Sequence, residues 1–513
     1  MQSHLLIFVF LCLIVLAGAG CGEGKDRGYS RESTVTVLYD GDERLMGPAE
    51  SWYPQFLMFL SLLVENDKAE WEGRLAERWA HSSDYRTWTF YLRRDVRWHD
   101  GAQVTAHDVK FSLELFAHPD ILTYHNDFWL DMESFTVLDE FAFTITYSRP
   151  RDARDEEFVV YPKHLLEDLD PEEFYRWDFW THPIGNGPFR YVRHVSKTMM
   201  ELEANPDFYR GKPKIERVVF KFGGGTPLTE LLSGNVDVVQ EINPTDLPKL
   251  VADDRFRIYQ AFDAYWLYPI YWNHRHPLFR DPMVRRALTL AINRHELVQV
   301  RNFPEDTPIF DGIFTWHQLA RREFPEPLPY DPERAEQLLE AAGWHDQDGD
   351  GIRARAGEQA RFTAMVLAEE MVQPAIYVQA QLRRVGIQME VSPLASGALR
   401  ARLRAGEFDA VFDRFENGSR QILRDNWFGP ASPIGCTNPQ IVRLLQDALI
   451  TFDSEAMDQI YRKLMTIFRA ELPMTFLHPG VHTHVAHRRL RGLESAQWAN
   501  PVTKMADLWL EED

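Results

Sequence analysis

The chain has 513 residues, more than one hydrophobic core can hold, since single cores stop growing at about 250 to 300 residues. Hydrophobic residues make up 45% of the composition and aromatic residues 13%, which excludes disordered and collagen-like classes. The formal net charge of -21 repels phosphate backbones and excludes nucleic acid as a partner.

Residues 1–20 have the pattern of a secretory signal peptide. An unbroken apolar run from Leu5 to Ala17 is followed by small residues and then by Cys21. Small residues directly before a cysteine resemble a bacterial lipobox, which predicts that Cys21 is lipidated; an ordinary cleaved signal is the alternative. The polar residues 21–34 predict a flexible tether. Cys436 is then the one thiol left, so no internal disulfide is expected.

The first half of the chain contains several strand patterns. Residues 35–39 predict a short strand, and residues 87–92 alternate as a half-buried strand does. Two runs at 135–137 and 141–145, separated by two acidic residues, predict an antiparallel pair. Residues 215–240 predict a strand–helix–strand unit, with the helix from Pro227 to Leu232.

Two helices have clear start signals. Asp281 with Pro282 and Asp331 with Pro332 each combine an N-cap residue with a proline in the first turn. Gly343 predicts the end of the second helix.

Residues 361–413 alternate between strand and helix patterns, which predicts a parallel sheet wrapped by helices. Ligands bind such sheets outside the carboxyl ends of the strands. The loop after Asp413 is therefore the first candidate for a binding site.

Two short clusters could hold a metal. Asp346, Asp348 and Asp350 match the opening of a calcium loop, but the twelfth position is glycine, which favours a plain acidic turn. His482 and His484 would share one face of a strand, with no third ligand at a characteristic spacing. No metal or cofactor is predicted from either cluster.

The sequence contains no local motif of a nucleophile, a phosphate loop, a dinucleotide site or a metal hydrolase. Carboxylate-pair hydrolases leave no local signature, so a secreted enzyme of that class is the alternative to a binding protein.

Long stretches resemble the extracellular solute-binding proteins of family 5, the oligopeptide, dipeptide and nickel binding components of ABC transporters. The clearest is LAERWAHSSDYRTWTFYLRRDVRWHDGAQVTAHDVKFSLEL at residues 75–115. IGNGPFRYV, ANPDFYRGKPKIERVVF, FRDPMVRRALTLAINR and YDPERAEQLLEAAGW follow in the family's order.

This resemblance implies an α/β fold of the periplasmic binding protein type II-like class, with two lobes and a hinge. Lobe I would comprise residues 35–68, 184–262 and 480–513, with an extra subdomain at 69–183, and lobe II would comprise 263–479. The implied function is capture of a small solute, most simply a peptide, by a monomeric, lipid-anchored envelope protein that serves ABC permease subunits.

In peptide-binding relatives an aspartate in the loop after the strand matching FDAVFD pairs with the ligand's amino terminus. The usual D-P or A-D-Y element is missing here, so Asp413 or Glu416 would replace it. The predicted ligand-binding residues are Glu43, Tyr124, Trp266, Tyr268, Asp413, Arg414, Phe415, Glu416 and Trp427. A receptor for nickel, a metal chelate or an oligosaccharide on the same fold stays open.

Overall fold

The computed structural model describes residues 31–39, 52–66, 70–119, 121, 131–154, 159–314, 325–368, 370–416, 427–429, 432–493 and 504–511. The predicted signal peptide, Cys21, Glu43 and Tyr124 lie outside these residues. None of the helices in the described ranges combines the length and the apolar character that crossing a bilayer requires.

The described strands are β1 Thr34–Tyr39, β2 Leu63–Glu65, β3 Trp71–Gly73, β4 Ala76–His81, β5 Thr87–Leu92, β6 Met132–Asp139, β7 Ala142–Tyr147, β8 Phe189–Val195, β9 Met199–Ala204, β10 Arg217–Phe222, β11 Val238–Val239, β12 Phe256–Trp272, β13 Ala354–Arg355, β14 Glu358–Gln359, β15 Arg361–Leu367, β16 Gln388–Leu394, β17 Ala410–Phe412, β18 Phe415–Glu416, β19 Met474–His487, β20 Leu490–Arg491 and β21 Trp509–Leu510.

The described α-helices are α1 Trp52–Met58, α2 Ala106–Phe116, α3 Lys163–Leu166, α4 Pro227–Leu232, α5 Leu247–Val251, α6 Pro282–Leu290, α7 Arg294–Val300, α8 Pro332–Ala341, α9 Val372–Arg384, α10 Ser396–Ala405, α11 Pro439–Leu449 and α12 Ser454–Glu471. Asp281 and Asp331 accept backbone N–H groups at the starts of α6 and α8, as predicted from their Asp-Pro pairs. Gly343 follows α8 with φ +86°, a conformation that glycine adopts without strain.

An 11-stranded sheet runs through the molecule in the order β16-β15-β17-β12-β19-β11-β1-β10-β9-β8, with β18 paired to β12. β1 lies between β10 and β11 and is parallel to both, which confirms the predicted strand–helix–strand unit. At the other end, β15 is parallel to β16 and to β17. The parallel sheet predicted for residues 361–413 is therefore confirmed.

A separate four-stranded sheet has the order β4-β5-β7-β6. β6 and β7 are antiparallel, as predicted from their alternating apolar residues. Phe143 on β7 stacks on Phe90 of β5 and on Phe135 of β6, with ring centroids 5.3 and 4.8 Å apart. Aromatic pairs across strands of this kind fix the register of the sheet.

Residues 98–101 (WHDG) pack against residues 184–188 (IGNGP), which come much later in the chain. The imidazole of His99 accepts the N–H of Gly185 at Nδ1 and donates from Nε2 to the carbonyl of Gly187. A Cβ atom at Gly185 would lie 2.0 Å from the carbonyl oxygen of Met58, so only glycine fits there. Burial lowers the pKa of His99 to about 4, and the ring is neutral at physiological pH.

The buried apolar side chains of the described residues form two large hydrophobic cores. The first is built from residues between Val35 and Val238 together with a carboxyl-terminal group from Ala486 to Leu508. The second is built from residues between Phe262 and Leu477. The limits of the lobes and of the subdomain stay a prediction.

Each core contains a buried ion pair. Arg489 binds Asp237 through two hydrogen bonds of 3.0 and 2.8 Å and also donates to the carbonyl of Thr34. Arg294 donates to Asp311 at 2.8 Å and to three backbone carbonyls, at Phe310, Leu328 and Phe476.

Two long strands cross between the cores. β12 has 17 residues and β19 has 14, and they pair antiparallel from Phe256 opposite His487 to Tyr271 opposite Met474. The register shifts between Asp263 and Leu267 and again between Tyr268 and Pro269. β-bulges of this kind bend a strand pair locally. The irregularity coincides with Trp266 and Tyr268, the residues predicted near the hinge crossing.

Candidate functional site

The start of the predicted binding loop, residues 413–416, lies against the irregular part of β12, while residues 417–426 of that loop lie outside the described residues. The chain leaves β17 at Asp413 and Arg414 and then forms β18, whose residues Phe415 and Glu416 pair with Leu267 and Trp266. The structure therefore brings together two sets of predicted residues that are about 150 positions apart in the sequence, because β12 and β17 are neighbours in the sheet.

Asp413 is buried, with an exposed fraction of 3%. Its Oδ1 accepts the N–H of Arg414 at 2.7 Å. Burial raises the pKa of the Asp413 carboxyl, and this outweighs the opposing effects of that hydrogen bond and of Arg400 and Arg414. The carboxylate is therefore not presented to solvent as a counter-charge for an ammonium group.

Phe415 and Trp427 belong to the second core at this point. Phe415 is fully buried, and its ring centroid lies 5.5 Å from that of Trp427. Trp427 also stacks on Tyr271 at 4.6 Å, and the hydroxyl of Tyr271 donates to the carbonyl of Arg414. These contacts hold the backbone at Arg414 in place. Ligand contact by Asp413, Phe415, Glu416 or Trp427 stays a prediction.

Glu370 organises the polar groups beside this loop. Its Oε2 accepts the hydroxyl of Tyr268 at 2.8 Å, and its Oε1 lies 3.7 Å from Nη1 of Arg414. Its backbone carbonyl accepts Nη1 of Arg301 at 3.0 Å. Burial, followed by the charge of Glu370, raises the pKa of Tyr268, which stays a neutral donor.

Both arginines lie over aromatic rings. The guanidinium carbon of Arg414 is 5.3 Å from the ring centroid of Trp266, and that of Arg301 is 4.8 Å from Phe303. The Nε atoms of both arginines are buried and have no hydrogen-bond partner among the described residues. Burial lowers the pKa of Arg301, which nevertheless stays charged because a guanidinium has a very high intrinsic pKa.

His478 lies beneath these groups. Its ring stacks on Tyr268 with centroids 5.0 Å apart and meets Phe303 edge-on at 5.0 Å. Nδ1 lies 2.6 Å from the carbonyl of Pro479, and the buried Nε2 has no partner in the described part of the chain. Burial, with the nearby charge of Arg301, lowers the pKa of His478 to about 3, so the ring is neutral. We call Trp266, Tyr268, Arg301, Glu370, Arg414 and His478 the hinge cluster.

Sequence reasoning found Trp266, Tyr268 and Arg414 but missed the other three members of the hinge cluster. A signal existed for Glu370, which follows the carboxyl end of the parallel strand β15, the position where ligands bind such sheets. Arg301 follows α7 and has no comparable local signal.

The two clusters considered for metal binding are occupied by local hydrogen bonds. Asp346 accepts the N–H groups of Gly349 and Gly351, so its carboxylate caps the exposed turn. His484 is buried and its Nδ1 lies 2.5 Å from the carbonyl of Gln240. Nδ1 of His482 lies 2.5 Å from Oε1 of Glu241. Asp346, Asp348 and Asp350 nevertheless each offer a carboxylate oxygen within 4.8 Å of the others, so the plain acidic turn stays a prediction.

One aromatic contact joins the four-stranded sheet to the segment between α11 and α12. Tyr85, in the turn between β4 and β5, stacks on His81 with centroids 4.1 Å apart. Its ring also lies 4.8 Å from that of Phe452, which connects α11 to α12. Parts of the chain that are 367 positions apart therefore touch at this pair of rings.

A family model of the bacterial extracellular solute-binding proteins, family 5 Middle, matches residues 70–421. The oligopeptide-binding protein AppA of Bacillus subtilis is 25% identical over 453 residues, which cover 82% of this chain and 80% of AppA. The glutathione-binding protein GsiB of Salmonella choleraesuis is 25% identical over 418 residues, 78% of each chain.

Solved structures of similar proteins share the fold. AppA of Bacillus subtilis, in complex with a nonapeptide, has a TM-score of 0.68 at 21% identity, covering 93% of this chain and 99% of AppA. NikA of Brucella suis, in complex with Fe(III)-EDTA, has a TM-score of 0.75 at 19% identity, covering 93% of this chain and all of NikA. The predicted fold class, two α/β lobes of the type II-like arrangement, is confirmed.

Proposed function

Because this chain belongs to the bacterial extracellular solute-binding proteins of family 5, a family of transport binding proteins and not of enzymes, we propose that it captures peptides between its two lobes for an ABC importer. Family membership removes the carboxylate-pair hydrolase as an alternative. The hinge cluster carries the proposal, since it places charged and aromatic side chains where the long strands cross between the lobes.

The relatives favour a peptide over a metal chelate. The two curated relatives described above are named for binding an oligopeptide and glutathione, itself a peptide, and each covers more than three quarters of this chain. The likeness to NikA rests on the fold. A peptide also suits the site physically, since carboxylate and ammonium ends meet fixed counter-charges while aromatic walls exclude water.

Closure of the two lobes over the ligand is part of the proposal. The β12–β19 pair supplies a continuous connection with local irregularities, as hinge bending requires. The contact between Tyr85 and Phe452 supplies a point where the lobes meet when they are closed. Trp266, Tyr268 and the loop from Asp413 to Trp427 would then line the cleft, and the same role is proposed for Glu43 and Tyr124.

We also propose that the mature protein is a monomer held at the membrane by a lipid on Cys21. The support is the apolar run at residues 5–17, the small residues that follow it, and the polar residues after the cysteine. Labelling with a radioactive fatty acid in the native host tests this directly. A Cys21→Ser variant should remain unlabelled and leave the membrane fraction, and labelling of that variant would refute the anchor.

Native mass spectrometry of protein purified without denaturation tests the ligand class. Bound masses that fragment into peptide series are expected, and a discrete metal, chelate or sugar mass would refute the peptide assignment. A captured peptide at 100 times its dissociation constant should stabilise the protein by about 2.7 kcal/mol and should be recovered unchanged.

A further inference from the structure

We propose that a cavity beside the amino end of β15 binds a free α-amino acid with an apolar side chain, at a site separate from the hinge cluster. The inference goes beyond the proposed capture of peptides, because it concerns a second ligand in another part of the chain. The cavity has a volume of about 360 Å³. Its lining includes His276, Pro277, Leu278, Trp344, Glu358 and Arg361.

Four segments that are distant in the sequence form this cavity. Residues 276–278 follow β12, Trp344 follows α8, Glu358 is in β14 and Arg361 is the first residue of β15. β15 has seven residues, so its carboxyl end, which precedes Glu370 of the hinge cluster, lies about 20 Å from the cavity. A ligand in the cavity therefore leaves the hinge cluster open to another ligand.

One wall of the cavity is apolar and firmly held. Leu278 and Trp344 are 1% and 2% exposed and belong to the second core, and Pro277 lies beside them at the surface. The backbone N–H of Trp344 donates to the carbonyl of Leu339, and its own carbonyl accepts Nη1 of Arg353 at 3.0 Å. Ligand pockets usually measure about 300 to 1,000 Å³, so a cavity of this size suits one amino acid better than a long peptide.

Two donors in the lining lack a close acceptor. The indole Nε1 of Trp344 is buried and has no hydrogen-bond partner in the described part of the chain. Nη2 of Arg361 is 3.7 Å from Oδ2 of Asp350, beyond the length of a good hydrogen bond. Buried donors without acceptors are rare in folded proteins and cost stability. The carboxylate of an amino acid supplies two acceptor oxygens for these groups.

The charges in the lining match a zwitterion. Nδ1 of His276 accepts the N–H of Leu278 at 3.3 Å, so its proton is on Nε2, 3.8 Å from Oδ1 of Asp409. Burial lowers the pKa of His276 in spite of the opposing charges of Asp409 and Glu358, and the ring is neutral at physiological pH. Glu358 and Arg361 are then the charged groups of the lining. One carboxylate and one guanidinium match the ammonium and carboxylate groups of an amino acid, whereas a simple anion or cation leaves one of them without a partner.

Defined small molecules test each part of this match. The probes are L-leucine, isoamylamine, which lacks the carboxylate, 4-methylpentanoate, which lacks the ammonium group, and glycine, which lacks the apolar side chain. Isothermal titration calorimetry measures binding to the ligand-free protein and then to protein saturated with a captured peptide. We expect one leucine per chain, with the same affinity in both titrations. Each of the other three probes should bind at least 10-fold more weakly, because each lacks one group that the cavity contacts.

Three variants locate the site. Trp344→Phe keeps the apolar wall but removes the N–H, and Glu358→Gln and Arg361→Met each remove one charge. Each variant should bind leucine roughly 10- to 100-fold more weakly, as loss of hydrogen bonds to charged groups implies. Glu390→Gln and Arg384→Met are the matched controls, because they make the same changes at exposed positions outside the lining, and they should bind like the parent. Circular dichroism and thermal unfolding establish that each variant is folded. Glu358 and Arg361 are exposed, so their variants test the site even if Trp344→Phe does not fold.

Four results overturn the inference, and each leaves the proposed capture of peptides intact. The first is absence of leucine binding by the ligand-free parent protein. The second is loss of leucine binding when the captured peptide is present, which would place leucine in the interlobe cleft. The third is equal binding of leucine, the amine and the acid, which would exclude recognition of a zwitterion. The fourth is unchanged leucine affinity in the folded Glu358→Gln and Arg361→Met variants.

Discussion

Replacing Arg489 by methionine should destabilise the first core far more than any exposed substitution. Asp237 and Arg489 are 4% and 8% exposed, and the arginine supplies two of the three hydrogen bonds described at the carboxylate of Asp237. The variant leaves that buried carboxylate with the N–H of Thr36 alone. Removing one partner of a buried ion pair costs about 3 to 5 kcal/mol.

The expected shift in melting temperature follows from the size of the unit that unfolds. For a lobe of the predicted size, 1 kcal/mol corresponds to about 2 to 4 °C, so the transition of the first lobe should fall by roughly 6 to 20 °C. Differential scanning calorimetry of the ligand-free protein measures this. Arg491→Met is the matched control, because Arg491 lies two residues after Arg489 and pairs with the exposed Glu511. This variant should change stability by at most about 1 kcal/mol.

The double variant Asp237→Leu with Arg489→Met tests whether the loss of stability comes from the unpaired carboxylate of Asp237. Because both charges are then absent, the double variant should be more stable than Arg489→Met alone. The reasoning is refuted if Arg489→Met melts within 2 °C of the parent, or if the double variant is less stable than the single one.

Four further outcomes are expected. Arg294→Met, in the buried pair of the second core, should lower a different calorimetric transition from the one that Arg489→Met lowers, and a single shared transition would contradict independent lobes. Alanine at Phe452 should weaken ligand binding by about 2- to 10-fold without lowering the melting temperature of the ligand-free lobes, since an aromatic pair contributes about 0.5 to 1.5 kcal/mol. Calorimetric titration with a captured peptide measures this, and unchanged affinity would exclude a role in closure. His99 has a pKa of about 4 in the folded protein against 6.5 when unfolded, so the unfolded chain binds the extra proton and stability should fall as pH drops from about 6.5 toward 4. Urea unfolding at pH 7 and pH 5 should show a smaller loss for His99→Asn than for the parent, and equal losses would count against a neutral buried ring. Asp346→Ala should lower the free energy of unfolding by about 1 kcal/mol, because the turn loses two hydrogen bonds. Adding EDTA to the parent protein should leave its melting temperature unchanged, and a drop would argue for a bound metal.

Local patterns predicted the regular elements well. The alternation in β5 and β7 follows from burial of one face of each strand, and the Asp-Pro pairs before α6 and α8 follow from helix capping. Both patterns lie within a few residues, so they can be read from the sequence. β12 could not be predicted at its full length of 17 residues. Its length depends on pairing with β19, which is more than 200 positions away, and on the irregular pairing by which one strand packs in both cores. A local sequence pattern contains neither.

The sequence predicted some of the residues that meet at the crossing strand but not how deeply they are buried. The carboxyl end of the parallel sheet pointed to Asp413 and Arg414, and the structure puts both beside the crossing strand. Whether a carboxylate is buried or exposed depends on tertiary packing, and Asp413 is buried, with its carboxylate accepting the backbone N–H of Arg414. Glu370 and Arg301 join the cluster through contacts between elements that the sequence keeps 69 positions apart, and no local pattern encodes such contacts.

The position of β1 in the central sheet bears on how the protein is made. β1 is paired with β10 and β11, β11 is paired with the end of β19, and Arg489 reaches back to the carbonyl of Thr34 across 455 positions of the chain. Pairings between such distant segments form slowly, because a large loop must close before they stabilise anything. The amino-terminal lobe therefore cannot be completed until nearly the whole polypeptide has emerged from the ribosome. That delay leaves this part of the central sheet incomplete while the rest of the chain is being made.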